Sequence, residues 1–96
     1  MVMKLMQIDY PEIFHIRIGY EYAAIRLAIE VAEPEELEEL HEILLKMDQP
    51  MSSKESARLD VEFHRKLVSA SHNRMLILYD SMLDSLMDQF IENFRT

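Results

Sequence analysis

The chain has 96 residues, which is enough for one domain that buries about two thirds of its unfolded surface. Nearly half of the residues are apolar, only one is glycine and none is cysteine; this excludes a disordered chain, argues against a β-sandwich or barrel, and excludes disulfides and thiolate chemistry. The formal net charge of −8 repels phosphate backbones, so we do not expect this chain to hold DNA by itself.

The first predicted helix runs from about Pro11 to Ala32 and is apolar on two sides. One side carries Ile13, Ile16, Tyr20, Ala23, Ala24, Leu27 and Val31. The nearly opposite side carries Ile18, Tyr22, Ile25 and Ile29. Arg17 and Glu21 lie on one flank between these stripes, and Arg26 and Glu30 lie on the other. A helix with two apolar sides is either central in its domain or contacts a second subunit, and the shortness of the chain favours the second subunit.

The second and third predicted helices are separated by a break at residues 48–53. The second helix opens at Glu33-Pro34, with proline and carboxylates in the first turn as the helix dipole favours. Its apolar stripe is Leu37, Leu40, Ile43, Leu44 and Met47. Ser52 and Glu55 predict a capping box that starts the third helix, which continues to about Ala70 or Ser71.

The last predicted helix begins after Asn73, which is a suitable N-cap residue. Its inward side is predicted to carry Met75, Tyr79, Met82, Leu83, Leu86, Phe90 and Phe94. Its outward side is predicted to carry Asp80, Asp84, Asp88, Glu92 and Arg95. Together the four segments predict an all-α domain, an antiparallel bundle of about four helices with short loops.

The third helix carries two polar residues near the middle of its apolar arc, Asp60 and His64. They are one helical turn apart, so both are expected to point to the same place inside the bundle. Burying an unpaired carboxylate is costly, and a divalent metal would compensate with adjacent oxygen and nitrogen ligands. The alternatives are an Asp60–His64 hydrogen bond, or a polar pair satisfied by neighbouring helices.

Other candidate motifs are weaker. Glu12-x-x-His15 and Glu38-x-x-His41 match the Glu-x-x-His pattern of di-iron bundles, but helical geometry turns both away from the predicted core. His72 lies in the predicted joint between the last two helices and is expected at the surface. No set of residues brings a nucleophile, a base and oxyanion donors together, so we do not expect an enzyme.

Several segments together resemble the FCD domain, the FadR C-terminal-type effector domain of GntR-family transcription regulators. They are Arg17-Ile-Gly-Tyr-Glu21-Tyr-Ala23-Ala24, Leu27-Ala28, Pro34-Glu-Glu-Leu37-Glu-Glu-Leu40, Asp60-Val-Glu-Phe63-His64-Arg-Lys-Leu67 and Ser71-His-Asn73-x-x-Leu76. The Asp-x-x-Phe-His-x-x-Leu element followed closely by Asn is the most specific part. The resemblance covers about residues 10 to 95.

The resemblance implies an all-helical, ligand-sensing domain that dimerises and controls an attached winged helix-turn-helix domain. Many members hold a divalent metal, often zinc or nickel, through the Asp and His of this element and two later histidines. Small carboxylates then bind beside the metal, near the arginine of the Arg-x-x-x-Glu element. By position, Asp60 and His64 are the expected metal ligands, and Arg17 is the expected carboxylate contact.

The family pattern also sets expectations for what this chain lacks. Residues 1–10 are expected to be a tail or linker remnant, and residues 11–96 a partial FCD-like domain without the DNA-binding domain and the last helices. The metal ligand set is therefore expected to be incomplete, because His15, His41 and His72 do not stand where the later ligands belong. Contact with DNA is expected only through a domain absent here. A cytoplasmic location without membrane contact is expected.

Two function classes remain open. The favoured one is the ligand-sensing and dimerisation domain of a metabolite-responsive regulator. The other is a stand-alone helical interaction module that binds no ligand and uses its acidic face and doubly apolar first helix for assembly. Both predict a homo-oligomer, with a swapped helix as one form of it, because part of the core face would otherwise stay uncovered.

Overall fold

The computed structural model describes residues 8–95, with the backbone alone at positions 10, 87 and 89–95. Four helices follow one another: α1 (Tyr10–Val31), α2 (Pro34–Met47), α3 (Ser53–Ala70) and α4 (Arg74–Arg95). Within residues 8–95 there is no strand, and the all-α prediction is confirmed. Of the predicted N-terminal tail, positions 1–7 lie outside the described residues.

The helix starts are fixed by side chains that accept backbone N–H groups. Ser52 Oγ accepts the N–H of Glu55 at 3.1 Å, and Asn73 Oδ1 accepts the N–H of Leu76 at 2.9 Å. Ser52 and Asn73 are therefore confirmed as N-caps, and of the capping box predicted at Ser52 the structure records the half in which Ser52 accepts. The Glu55 carboxylate pairs with Arg58 at 2.6 Å.

Helix α3 packs against each of the other three helices, and α1 also packs against α4. The core cluster consists of one tyrosine and smaller apolar side chains from α1, α2 and α3. Its members are Tyr20, Ala24, Ala28, Leu40, Leu67, Val68 and Ala70. The molecule measures 43 × 33 × 16 Å. A thickness of 16 Å holds two layers of helices packed about 8–10 Å apart, so each helix has a side that no other helix covers.

The second apolar stripe of α1 stays uncovered. We call Ile18, Tyr22, Ile25 and Ile29 the outer stripe, and their exposed fractions range from 42% to 77%. Of the other stripe, Ile13, Tyr20 and Ala24 are buried, whereas Ile16 is exposed. None of the helices described here is long and apolar enough to cross a membrane.

The prediction for α4 is wrong about which side faces inward. Met75, Tyr79 and Met82 are exposed, whereas Asp80, predicted to face outward, is buried. Leu83 packs against the core as predicted, and Leu76 packs there beside it. The predictions for Phe90, Glu92, Phe94 and Arg95 fall on side chains outside those that the structure describes.

A short joint of three residues connects α3 to α4 and is closed by its own hydrogen bonds. Ser71 Oγ donates to the carbonyl of Val68, and the N–H of Asn73 donates to Ser71 Oγ at 3.3 Å. His72 adopts a left-handed conformation with φ of 54° and lies 2.6 Å from Glu36 on α2 through its Nε2. Its exposed ring confirms the predicted surface position.

Candidate functional site

A cluster of three polar side chains is buried where α1, α3 and α4 meet. Tyr20 comes from the core side of α1, His64 from the middle of α3 and Asp80 from the second turn of α4. His64 is 2% exposed and Asp80 is 6% exposed. A buried polar cluster of this kind requires internal partners, because water cannot supply them.

The three side chains satisfy one another around a single carboxylate oxygen. The Tyr20 hydroxyl donates to Asp80 Oδ1 at 2.6 Å, and His64 Nε2 lies 2.5 Å from the same oxygen. Because an ionised carboxylate only accepts hydrogen bonds, Nε2 is the ring nitrogen that carries the hydrogen. The Tyr20 hydroxyl also lies 3.1 Å from Nε2, so the three groups form a closed triangle.

The other ring nitrogen of His64 has no hydrogen-bond partner. Nδ1 is buried and lies 3.4 Å from Glu21 Oε1, close enough for an ion pair but without hydrogen-bond geometry. Glu21 is also 4.0 Å from the Arg17 guanidinium, one turn earlier on α1. A chain of charged groups therefore runs from the partly exposed Arg17 to the buried imidazole.

Burial holds Tyr20 in its neutral form. Loss of solvent raises the pKa of its hydroxyl well above the ordinary value, and the hydrogen bond to Asp80 and the negative charge of that carboxylate raise the pKa further. The nearby Arg17 charge opposes this shift. Tyr20 is therefore a permanent donor to Asp80 at physiological pH.

Comparison with known proteins places most of this chain in a family. The family model of the FCD domain matches residues 12–96. The chain belongs to the FCD domain family. The resemblance found in the sequence is thereby confirmed.

Two curated relatives match the same FCD region. One is the "Nta operon transcriptional regulator" of Aminobacter aminovorans, 35% identical over 68 residues, which are 69% of this chain and 32% of the relative. The other is the "Uncharacterized HTH-type transcriptional regulator YdhC" of Bacillus subtilis (strain 168), 37% identical over 79 residues, which are 78% of this chain and 35% of the relative. The chain spans about a third of the length of these relatives. No solved structure matches it significantly.

The structure separates the two residues that the sequence paired in this FCD domain. His64 is buried, but Asp60, one turn earlier, is exposed. The prediction that both point into the bundle is therefore wrong. Asp60 lines an open surface groove beside the α2–α3 loop, together with residues such as Met47 and Gln49. Helices α1 and α4 cover α3 at the level of His64, and this groove leaves Asp60 uncovered.

Arg17 and His64 are linked through Glu21, which lies 4.0 Å from Arg17 and 3.4 Å from His64, and the role of Arg17 as a carboxylate contact stays a prediction. Sequence reasoning missed Tyr20 and Asp80 as polar partners of His64. Tyr20 was assigned only to an apolar stripe. The available signal for Asp80 was its place between Leu76 and Leu83, at a spacing that puts all three on one side of α4.

The described side chains do not by themselves fit a closed metal site. Within residues 8–95, no group of three or more His, Asp or Glu side chains is arranged to hold a metal ion. His64 Nε2 is engaged by Asp80, which leaves Nδ1 as the ring nitrogen without a hydrogen-bond partner. A metal role for Asp60 and His64 stays a prediction.

Proposed function

We propose that this chain is the effector-sensing and dimerising part of a metabolite-responsive transcription regulator, and that its effector is a small carboxylate. Membership in the FCD family and two relatives named as transcriptional regulators support the regulatory role. The observation that carries the choice of ligand is the path from Arg17 through Glu21 to the unpartnered Nδ1 of His64.

Arg17 has the chemistry for a carboxylate. Its planar guanidinium offers paired N–H donors that match two carboxylate oxygens, and its side chain is a quarter exposed. Its distance of 4.0 Å from Glu21 is at the limit of an ion pair, so donors remain for an incoming anion. A ligand on Arg17 would compete with Glu21, whose carboxylate would then be free to move toward His64.

A divalent metal, zinc or nickel, is the second element of the proposal and follows from the family resemblance. The resemblance assigns the ion to Asp60 and His64, and because Asp60 lies exposed in a separate groove, its side chain would have to move toward His64 before the two could share an ion. Two protein ligands are fewer than the three or four that zinc sites use, so the bound carboxylate, water or another chain would complete the coordination. No step of the sensing proposal depends on this ion.

Control of transcription would act through DNA-binding residues in the part of the regulator that this chain does not span. The net charge of −8 is unsuited to a phosphate backbone. The proposal thus assigns ligand binding and assembly to this chain in the cytoplasm, and it assigns operator contact to another segment.

The ligand proposal is tested with isothermal titration calorimetry on the purified chain, using acetate, lactate, succinate and citrate as probes. We expect at least one of them to bind, and Arg17→Gln to weaken that binding by about tenfold or more, because a charge-assisted pair is lost. Arg74→Gln, an exposed arginine at the start of α4, is the matched control and is expected to leave the affinity unchanged.

The outcome decides between the two function classes. Absence of binding by all four probes at millimolar concentration, or equal loss in the Arg17 and Arg74 variants, would overturn the carboxylate proposal. The stand-alone interaction module is favoured by the exposed outer stripe, and it predicts assembly without any ligand. Elemental analysis after incubation with zinc or nickel, on the wild type and on His64→Ala, tests the metal separately.

A further inference from the structure

The outer stripe has the spacing of a helix–helix seam. Its four residues are separated by four, three and four positions, which keeps them on one line along α1. All four side chains are exposed, although three are isoleucines and one is a tyrosine. A contiguous apolar patch of this kind on a soluble domain usually marks a contact surface. The next position in the same register is the polar His15, where the apolar line ends.

The flanks of the stripe carry opposite charges. Glu21 lies on one side of the line and Arg26 lies on the other. Glu21 is partly exposed, and Arg26 is exposed and has no ion-pair partner within residues 8–95. A partner for this surface must therefore offer an apolar line with a positive charge beside Glu21 and a negative charge beside Arg26.

A second copy of α1 meets these requirements in one orientation. When two such helices lie parallel about a two-fold axis, a residue on one flank faces the residue five positions later on the other flank of the second copy. Glu21 then faces Arg26 of the second copy, twice. When the helices lie antiparallel with the whole stripe aligned, each flank faces the same flank of the second copy, and neither Glu21 nor Arg26 has an opposite charge in front of it.

We propose that the outer stripe is the interface between two copies of this chain, with their α1 helices parallel and Glu21–Arg26 ion pairs on both sides. This rests on the dimerising role in the proposed function and adds the surface and the orientation. The interface also contains Glu21, the carboxylate beside the buried His64 Nδ1, so the ligand site and the dimer contact share one side chain.

The size of the outer stripe sets the expected affinity between the two copies. Four side chains on one helix form a contact at the low end of stable protein interfaces, below about 1,200 Å² in total. We therefore expect a reversible dimer with a dissociation constant on the order of micromolar.

Single cysteines test the interface directly, because the natural chain has none. In the parallel dimer, Ile18→Cys and Ile29→Cys each place a thiol beside its own copy, and we expect both to form disulfide-linked dimers under mild oxidation. In the antiparallel dimer, position 18 of one copy is about 16 Å along the axis from position 18 of the other, and only a mixture of the two variants would cross-link.

Ile16→Cys is the matched control, since Ile16 is 50% exposed and Ile18 is 51% exposed. Ile16 lies on the other side of α1, in the groove between α1 and α4, and we expect at least tenfold less cross-linking there. Equal or greater cross-linking at Ile16, or cross-linking only in the mixture of the Ile18 and Ile29 variants, would overturn the proposal.

Light scattering on Arg26→Gln gives an independent measurement. The parallel pairing predicts weaker dimerisation by several-fold, whereas the antiparallel pairing, in which Arg26 has no Glu21 opposite it, predicts no weakening. A wild-type chain that stays monomeric at tens of micromolar would also overturn the proposed interface. Carboxylate binding, measured on the same samples, reports separately on the proposed function. A chain that binds a carboxylate but stays monomeric overturns the interface alone, and a chain that dimerises through the stripe but binds no probe overturns the ligand proposal alone.

Discussion

On its inner face, α1 contributes Tyr20 to a cluster in which a histidine and an aspartate are buried, whereas on its outer face four large apolar side chains are exposed. This is the reverse of the usual distribution, and both departures are informative. In the buried polar cluster, each polar atom needs a hydrogen-bond partner of its own. The exposed stripe marks a surface whose requirement is area and shape.

The two faces should therefore respond differently to substitution. A buried hydrogen-bonded group that loses its partner incurs a desolvation cost that nothing offsets. An exposed apolar side chain contributes little to the folding of its own chain. Four predictions test this contrast, from the largest expected effect on stability to the smallest.

Asp80→Ala should have the largest effect. Asp80 Oδ1 is the common acceptor for Tyr20 and His64, so its loss leaves two buried groups unpaired. We expect the free energy of unfolding in urea to fall by about 2–4 kcal/mol. Asp84→Ala, which removes a surface ion pair with Arg65, is the control and should cost no more than about 1 kcal/mol. Equal losses in both variants would contradict the buried role of Asp80.

His64→Ala and Asp60→Ala should differ although the two residues are one turn apart. Removing the buried imidazole takes a hydrogen-bond partner from Asp80, and we expect a loss of about 1–3 kcal/mol. Removing the exposed Asp60 carboxylate should change stability by no more than about 0.5 kcal/mol. Thermal and urea unfolding of both variants check this. An effect of Asp60→Ala as large as that of His64→Ala would support the sequence-based prediction that the two residues are buried together.

Tyr20→Phe should lower stability at neutral pH by about 1 kcal/mol, since one buried hydrogen bond is lost. Its pH dependence sharpens the test. The raised pKa of Tyr20 keeps the folded chain protonated where the unfolded chain ionises, at about pH 10 and above. Wild-type stability should therefore be fully present below pH 10 and fall above it, by up to about 1.4 kcal/mol per pH unit.

In the Tyr20→Phe variant this alkaline contribution should vanish, so the stability curves of variant and wild type should converge above pH 10. Tyr22→Phe, on the outer stripe, should keep the wild-type slope. Urea unfolding at pH 8, 10 and 11 measures both. Parallel curves for the wild type and Tyr20→Phe would show that Tyr20 is not the protected group.

Ile29→Ser should have the smallest effect on folding. Ile29 is the most exposed member of the outer stripe, so its substitution should change the unfolding free energy of the monomer by no more than about 0.5 kcal/mol at dilute, submicromolar concentration. At higher concentration, only the wild type should gain stability from association. A large loss in dilute solution would place Ile29 in the folding core.

Local features were the predictable part of this structure. The helices and the caps at Ser52 and Asn73 depend on residues within a few positions of each other, and the sequence contains those signals. The FCD assignment rested on several short elements in order, and it is confirmed.

Helical periodicity could not predict which side of α4 faces inward, nor that Asp60 is exposed. Helix α4 has apolar residues on several sides, including Met75, Ile77 and Leu78, so its sequence alone does not select one. The burial of Asp60 depends on which neighbouring helices reach its turn of α3. Periodicity describes one helix, whereas burial is a property of the neighbours that cover it.

The three-residue joint between α3 and α4 determines which side chains of α4 turn inward. Its hydrogen bonds and the left-handed backbone at His72 fix the conformation of the joint. The end of α3 therefore determines how α4 is rotated about its own axis. One inserted residue would rotate α4 by about 100° relative to α3. Asp80 would then leave the position opposite His64. The length of this joint is therefore as much a determinant of the buried cluster as the three side chains that form it.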